Sequence, residues 1–406
     1  MRRSTHMRVG KFSVAAVVAA GALVLAACGG SGAGGGGATG PDEGATEATT
    51  AESTDAGGDT GAAAEGTIGV SMPTQTSERW IADGNAVKKG FEDLGYKVDL
   101  QFANDDIPTQ SQQIDQMITS GVKLLVIGAI DGTALSGQLE AAAQAGIPVI
   151  AYDRLIRDSE NVDFYVTFDN YKVGVQQATS LLVGLGVLNE DGSENADAKG
   201  PFNVELFAGS LDDNNAHFFW GGAIDTLQPY IDSGVIVVPS GQTTIEKAAT
   251  LRWQQETAQK RMEDLLTSTY SGGDKVDGVL SPYDGISRGI ITALQNAGYG
   301  TTIADGLPIV TGQDAEIASV KLIRDGVQFA TIFKDTRKLA NQAVVSGTAF
   351  LKGETPEAND TETYDNGVKV VPSYLLESDI VYAGNIQELL IDSGYWTEEQ
   401  VASGVA

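Results

Sequence analysis

The sequence is poor in the residues on which covalent and metal chemistry usually depends. Among 406 residues there is one cysteine, Cys28, and there are two histidines, His6 and His217. A single cysteine has no partner for an internal disulfide. The sequence also lacks the G-x-S-x-G, H-E-x-x-H and Walker A patterns. We therefore expect no cofactor, no metal site and no catalytic residue.

Positive charge is also scarce. The chain has 26 Lys and Arg against 54 Asp and Glu, so its formal net charge is −28. A protein that binds nucleic acid needs a basic surface, and adsorption to anionic lipid needs one as well. The composition excludes both partners and is typical of a soluble, acidic protein surface.

The apolar run at the N-terminus, from Phe12 to Ala27, is too short and too rich in Ala for a bilayer span. It follows basic residues and ends in Leu-Ala-Ala before Cys28, which is the layout of a secretory signal. The Leu-Ala-Ala-Cys sequence resembles the lipobox of bacterial lipoproteins. That resemblance implies removal of residues 1–27 and a lipid on Cys28, whereas an ordinary signal peptide with an incidental cysteine is the alternative.

Residues 28–66 contain little that could enter a hydrophobic core. They are rich in Gly, Ala, Thr, Asp and Glu, which predicts a flexible acidic linker. About 340 residues then remain, a length that suits two lobes better than one core.

Apolar strands and helices alternate from Thr67 onward, which predicts parallel sheets with helices on both faces. A strand-helix-strand unit at residues 122–153 recurs at residues 276–314. Each copy ends with a carboxylate, Asp153 or Asp314, just beyond a strand. Because ligands of open parallel sheets bind at the carboxyl ends of the strands, we expect both carboxylates in one cleft.

Polar side chains follow each of the other predicted strands as well. They are Glu78, Arg79 and Trp80; Arg154 after Asp153; Asp212, Asp213, Asn214 and Asn215; Tyr283 and Asp284; Gln313 before Asp314; and Lys334. Such a set suits a neutral polyhydroxylated ring, whose hydroxyls donate to carboxylates and accept from Arg and Lys, and whose C–H face stacks on Trp. Pairs of Asp153 with Arg154 and of Asp314 with Lys334 would neutralise the site. The alternative is that each acid only caps the following helix. For Asp105, Asp106 and Asp131 we expect loop and cap roles.

Several motifs between Thr67 and about Trp396 resemble the sugar-binding proteins of bacterial ABC importers, in particular their xylose-binding and multiple-monosaccharide-binding subfamilies. The matching stretches are Ser77–Trp80, Ile150–Ile156, Thr167–Asn170, Gly209–Ala216, Thr311–Ala315, Phe333–Lys334 and Val371–Leu376. In one position, Tyr283-Asp284, the chain departs from the Asn-Asp pair of xylose-type relatives. That departure argues against a specificity for xylose alone.

The resemblance implies an α/β type I periplasmic binding protein fold, with two doubly wound parallel-sheet lobes joined by three hinge crossings. We expect the crossings near residues 167–170, 333–336 and 371–374. The N-terminal lobe would comprise residues 67–168 and 335–371, and the C-terminal lobe residues 169–334 and 372–406. The resemblance further implies that the sugar is held by Arg79, Trp80, Asp153, Arg154, Asp213, Asn215, Trp253, Asp314 and Lys334.

The expected function is capture of a monosaccharide, such as xylose, galactose, glucose or arabinose, and its delivery to an ABC importer permease. The protein would be a monomer outside the cytoplasm, attached to the membrane only through the lipid on Cys28. A sugar sensor for a receptor kinase or chemoreceptor is an open alternative. A glycoside-active enzyme is disfavoured because basic neighbours keep the acids ionised. A repressor would need a basic helix-turn-helix where the signal and linker stand.

Overall fold

The computed structural model describes residues 65–406 of the chain. The predicted signal peptide, Cys28 and all but the last two residues of the predicted linker lie outside the described residues.

The described residues form twelve β-strands and eleven α-helices. The strands are β1 (Thr67–Met72), β2 (Lys97–Phe102), β3 (Leu124–Ile127), β4 (Val149–Tyr152), β5 (Phe164–Phe168), β6 (Phe202–Leu206), β7 (Ile236–Val237), β8 (Gly278–Leu280), β9 (Ile309–Val310), β10 (Ala330–Phe333), β11 (Ser373–Leu376) and β12 (Asp379–Tyr382). The helices are α1 (Glu78–Asp93), α2 (Ile107–Thr119), α3 (Ser136–Gln144), α4 (Asn170–Gly184), α5 (Asn214–Asp232), α6 (Ile245–Ala248), α7 (Gln255–Ser268), α8 (Asp284–Asn296), α9 (Ile317–Arg324), α10 (Thr336–Leu351) and α11 (Glu398–Ser403). Short 3-10 turns at Leu251–Trp253 and Ile303–Asp305 and a π-helix at Gln387–Asp392 complete the set.

The first lobe is built on a parallel sheet with strand order β2-β1-β3-β4-β5-β11. Alternate residues of its strands enter two separate cores, as the pleat requires. Val70 and Val126 face one core together with α1 and α10, whereas Leu125 and Ile127 face the other with α2 and α3. The lobe is therefore three-layered, with helices on both faces.

The second lobe repeats this arrangement with strands β7-β6-β8-β9, all parallel. A parallel bridge between Gln313 and Ile332 adds β10 beside β9, and β12 pairs antiparallel with β10 at the edge. Helices α4 and α5 pack on one face of this sheet and α7 and α8 on the other. Both lobes thus have the same strand order, which accounts for the internal repeat: β3, α3 and β4 correspond to β8, α8 and β9.

Three crossings join the lobes, as expected. The first, at Phe168–Asn170, leads from β5 to α4, and the second, at Phe333–Thr336, leads from β10 to α10. The third differs from the expectation. Because β11 pairs with β5, residues 373–376 belong to the first sheet, and the chain changes lobe between β11 and β12 rather than after Val371.

Among residues 65–406, no helix combines the length and the hydrophobicity that a bilayer crossing requires.

Candidate functional site

A cavity of about 340 Å³ lies between the lobes, at the carboxyl ends of both sets of strands. All nine side chains predicted to hold a ligand line it: Arg79, Trp80, Asp153, Arg154, Asp213, Asn215, Trp253, Asp314 and Lys334. Eight of them follow strand ends and meet because the two sheets face each other across the cleft, whereas Trp253, expected from the resemblance alone, lies on a 3-10 turn. Their contact with a ligand remains a prediction.

Arg79 is the central cation of this cavity. It is the second residue of α1, and only 7% of its surface is exposed. Its guanidinium pairs with Asp83 on the same helix at 3.1 Å, hydrogen-bonds to Asp153 of the first lobe, and lies 3.8 Å from Asp314 of the second. One planar fork with several donors therefore connects the carboxylates at the two repeated strand ends.

Two further ion pairs lie in the cavity. Lys334 Nζ lies 2.9 Å from Asp314 Oδ1, as predicted from the sequence. The predicted pair of Asp153 with Arg154 is wrong: Arg154 Nε instead reaches across the cleft to Asp213 Oδ2 at 3.0 Å. The reason is that the chain turns at Asp153, directly after β4, where φ is 62°. Arg79 rather than Arg154 therefore lies beside the Asp153 carboxylate.

The buried carboxyl groups respond differently to these surroundings. Burial acts to raise the pKa of Asp153, but the charges of Arg79 and Lys334 outweigh it and hold that pKa below its usual value. For Asp213, burial prevails over the charge of Arg154, and the pKa is raised. Burial also raises the pKa of Asp83, behind Arg79, to about 7. Asp153 is thus an ionised acceptor rather than an acid that could protonate a leaving group.

Aromatic rings support the cations. The Trp80 ring lies 4.6 Å from Arg79 Cζ and 5.2 Å from Arg154 Cζ. Lys334 Nζ lies 5.7 Å and 5.5 Å from the ring centres of Phe168 and Phe219. Cation–π contacts of this kind orient the charged groups and partly replace their hydration.

Trp253, predicted to stack on the ring of a ligand, lines the cavity from a 3-10 turn. Its indole packs edge-on against Phe219 and Tyr283, with ring centres 6.3 Å and 6.2 Å away. It also lies directly on the backbone of Gly209, where an added Cβ would come within 2.0 Å of the indole. Only glycine at position 209 allows the ring to occupy this place.

Five cavity residues other than glycine have positive φ. They are Asp105 (φ 60°), Asp153 (φ 62°), Arg252 (φ 54°), Trp253 (φ 57°) and Asp314 (φ 92°). Such conformations cost free energy and persist only where surrounding contacts enforce them, which is common at functional sites. Their concentration here indicates that the positions of these side chains matter more than local stability.

Asn215 lines the cavity but is largely occupied by protein partners. Its Nδ2 donates to the Asp153 carbonyl at 2.7 Å, and its Oδ1 accepts from Asn170 Nδ2 at 3.1 Å and lies 2.8 Å from the Tyr165 hydroxyl oxygen. Asp213 has a double role, because its Oδ1 caps α5 by accepting from the Asn215 amide at 2.9 Å. Capping and site formation are therefore not alternatives for this acid.

The lobes also touch each other directly around the cavity. Ser77 Oγ donates to Glu316 Oε1 at 2.6 Å, and the Ile317 amide donates to Glu78 Oε1 at 3.1 Å. At the other rim, Arg252 donates to the Asp105 carbonyl at 2.6 Å. The described conformation is therefore closed around the cavity.

Several residues that line the cavity were not predicted from the sequence. Thr74, Thr76 and Ser77 directly follow β1, so the strand-end rule could have found them. Arg288 lies one helical turn after Asp284 on α8, and this spacing was a further signal. Arg252 had none, because a left-handed backbone at a residue other than glycine is not visible in the sequence.

Other predicted strand-end residues play supporting roles. Asp284 is buried beneath the site, where it accepts from the Glu316 amide at 2.9 Å, and burial together with the Glu316 charge raises its pKa to about 8. As expected, Asp106 caps α2 through Thr109, and Asp131 accepts from Thr133 within its loop. Asp105, in contrast, reaches the cavity wall. Residues 65–406 contain no cluster of side chains suited to a metal ion.

Comparison with known proteins agrees with this geometry. Residues 68–355 match the family described as periplasmic binding protein domain. The chain is 56% identical over 340 residues to the multiple sugar-binding periplasmic receptor ChvE of Rhizobium radiobacter, a match that covers 84% of this chain and 93% of the relative. It is 37% identical over 334 residues to the D-xylose-binding periplasmic protein of Escherichia coli, covering 82% and 92% of the two chains.

A solved structure, an ABC transporter solute-binding protein from Clostridium phytofermentans with bound β-D-glucose, has the same fold. It is 49% identical, superimposes with a TM-score of 0.77, and the match covers 82% of this chain and 99% of that one. A two-lobed parallel-sheet fold with a charged interlobe cavity, together with these similarities, identifies the chain as a member of the periplasmic binding protein family, among its sugar-binding receptors.

Proposed function

We propose that this protein binds a monosaccharide in the interlobe cavity and delivers it to an ABC importer. The observation that carries the proposal is the cavity of about 340 Å³, closed by both lobes and lined by ionised groups that are paired with one another. Such groups need no charge from a ligand, so a neutral molecule with many hydroxyls fits them. The relatives described above are named as sugar-binding proteins, and the solved structure contains bound β-D-glucose.

Each side of the cavity offers a carboxylate beside a cation. Asp153 and Asp314 accept hydrogen bonds from hydroxyls, while Arg79, Arg154 and Lys334 donate. Arg79 and Lys334 both contact Oδ1 of Asp314, and within residues 65–406 its Oδ2 has no hydrogen-bond partner. That oxygen is the natural acceptor for a ligand hydroxyl, and Trp253 supplies an aromatic wall for the ring.

Binding favours closure because a sugar that touches both lobes stabilises the conformation in which they meet. The contacts of Ser77 with Glu316 and of Arg252 with Asp105 form only when the lobes come together. The importer permease would recognise the joined surfaces of the closed form. No bond in the sugar needs to break, and the protein acts as a carrier rather than an enzyme.

Titration of the purified protein with D-glucose, D-galactose, D-xylose and L-arabinose tests the proposal by calorimetry and thermal unfolding. At a thousandfold excess over the dissociation constant, a ligand stabilises the folded state by about 4 kcal/mol, which raises the unfolding midpoint by several degrees. L-Glucose serves as a matched control. No heat and no shift with any D-aldose or L-arabinose would contradict sugar binding, and release of aglycone from nitrophenyl glycosides would favour an enzyme.

We further propose that a lipid on Cys28 attaches the protein to the outer face of the cell membrane. The Leu-Ala-Ala-Cys sequence and the acidic stretch after it support this placement. Labelled palmitate should enter the mature protein in its native cell. Incorporation that persists after Cys28→Ser would exclude this anchor.

A further inference from the structure

The turn that carries Asp314 has an unusual backbone. Asp314 and Ala315 are consecutive, and both have positive φ, at 92° and 48°. Side chains with a Cβ rarely adopt this conformation, so the turn needs contacts that hold it.

The peptide groups of this turn are all hydrogen-bonded to other residues of the second lobe. The bonds are Asp314 N to Ile332 O at 2.9 Å, Ala315 N to Thr331 Oγ1 at 3.1 Å, Glu316 N to Asp284 Oδ2 at 2.9 Å, and Trp396 Nε1 to Ala315 O at 2.9 Å. Three of these partners belong to the sheet and helix beside the turn. Trp396 alone comes from the C-terminal segment, beyond the residues 68–355 that the family match covers.

The Asp314 side chain borders two cavities. It lines the cavity of about 340 Å³ on one side and a second cavity of about 210 Å³ on the other, and Arg79 shares both positions. Trp396 lines only the second cavity. Lys334 and Arg79 hold Oδ1 of this carboxylate, and the backbone beneath it sets the direction in which the side chain leaves the chain toward these partners.

We propose that Trp396 is a positioning residue for the sugar site: its indole N–H holds the Ala315 carbonyl and thereby directs the Asp314 carboxylate into the interlobe cavity. The inference rests on the proposed function, since it assigns Asp314 to a ligand hydroxyl. Trp396 itself does not touch the sugar. The C-terminal segment is thus part of the binding machinery rather than only a cover for the second lobe.

Trp396→Phe tests this because it keeps an aromatic ring and removes only the N–H donor. A buried carbonyl left without its donor costs enough to lower sugar affinity about tenfold. In the unliganded variant, hydrogen exchange of the amides at residues 314–316 should accelerate. Trp220→Phe, on α5 and outside both cavities, is the matched control and should change neither.

A monodeoxy sugar series separates positioning from general destabilisation. One deoxy analogue should bind Asp314→Asn as well as it binds the wild-type protein, because it lacks the hydroxyl that Asp314 accepts. The same analogue should bind Trp396→Phe without loss. A loss that is equal for all analogues would overturn the proposal, since it would show that Trp396 acts on the fold and not through Asp314.

The outcomes also separate this inference from the proposed function. If the wild-type protein binds sugar and Trp396→Phe binds it equally well, or its turn exchanges no faster, the positioning role is wrong and the function stands. If the wild-type protein binds no sugar, the proposed function fails, and unchanged exchange at residues 314–316 would then refute the support of the turn as well.

Discussion

The two repeated strand ends place equivalent carboxylates in one cleft but hold them in different ways. After β4, the Asp153 amide donates to Val166 on β5, and after β9 the Asp314 amide donates to Ile332 on β10. These bonds correspond in the two lobes. The carbonyl groups that follow do not share this equivalence.

The carbonyl of Asp153 has three donors. Tyr165 and Asn215 reach it at 2.7 Å and Thr167 at 3.0 Å, and Asn215 does so from the opposite lobe. In the second lobe, the indole of Trp396 is the one side-chain donor on the carbonyl of the next residue, Ala315. The carbonyl at the first strand end therefore has redundant donors, one of them from the opposite lobe, whereas the carbonyl in the second turn has a single donor from the C-terminal segment.

Arg79 links the two sides, so its removal should have the largest effect. Arg79→Met leaves the buried carboxylates of Asp83 and Asp153 without their close cation, and such a loss costs about 3–5 kcal/mol. Urea unfolding measures the change in the free energy of unfolding, and sugar binding should be abolished as well. The control is Lys89→Met on the same helix, whose pair with Asp93 is 74% and 62% exposed and should contribute less than about 1 kcal/mol. Similar losses in both variants would show that Arg79 is not the link between the sides.

Each lobe also contains a buried carboxyl group with a raised pKa. The two groups differ in the pH at which they lose their proton. Burial raises the pKa of Asp83 to about 7 and that of Asp284 to about 8, whereas the pKa of Asp in the unfolded chain is about 3.9. The folded protein thus binds these protons more tightly than the unfolded chain does. The free energy of unfolding should fall as pH rises from the unfolded pKa to the folded pKa of each group, by up to about 1.4 kcal/mol per pH unit and group.

Urea unfolding at a series of pH values measures this slope. Asp83→Asn should remove its contribution below about pH 7, and Asp284→Asn should remove a contribution that extends to about pH 8. The difference from the wild-type slope is the quantity to compare, because other carboxyls contribute with the opposite sign. A variant slope equal to that of the wild-type protein would mean that the carboxyl concerned is already ionised in the folded state.

The smallest effect is expected where donors are redundant. Tyr165→Phe removes one of three donors to the Asp153 carbonyl, so sugar affinity should fall by less than about threefold, against about tenfold for Trp396→Phe. Calorimetric titration of both variants with the same sugar provides the comparison. A larger loss for Tyr165→Phe would reverse the assignment of the redundant and the singly supported side.

Much of the fold and the membership of the site could be predicted from the sequence. The repeat at residues 122–153 and 276–314 is a local pattern of strand, helix and strand, and parallel sheets place their polar strand ends on one side. For that reason, Asp153, Asp314 and the other predicted strand-end residues reach one cavity. Trp253 and the crossings were expected from the family resemblance instead, and two of the three crossings lie where it implied. The third was misplaced because the short strand β11 has no local signal that tells which sheet it joins.

The sequence by itself determined which residues come to the cleft, because strand and helix periodicity are local properties of the chain. Only the tertiary structure decided most of their pairs. Arg79 reaches Asp153 within the first lobe, Trp396 supports the turn at Asp314 within the second, and Arg154 crosses the cleft to Asp213. These partners are far apart in the chain. Their contacts arise from packing within each lobe and of the two lobes against each other, which no local pattern encodes.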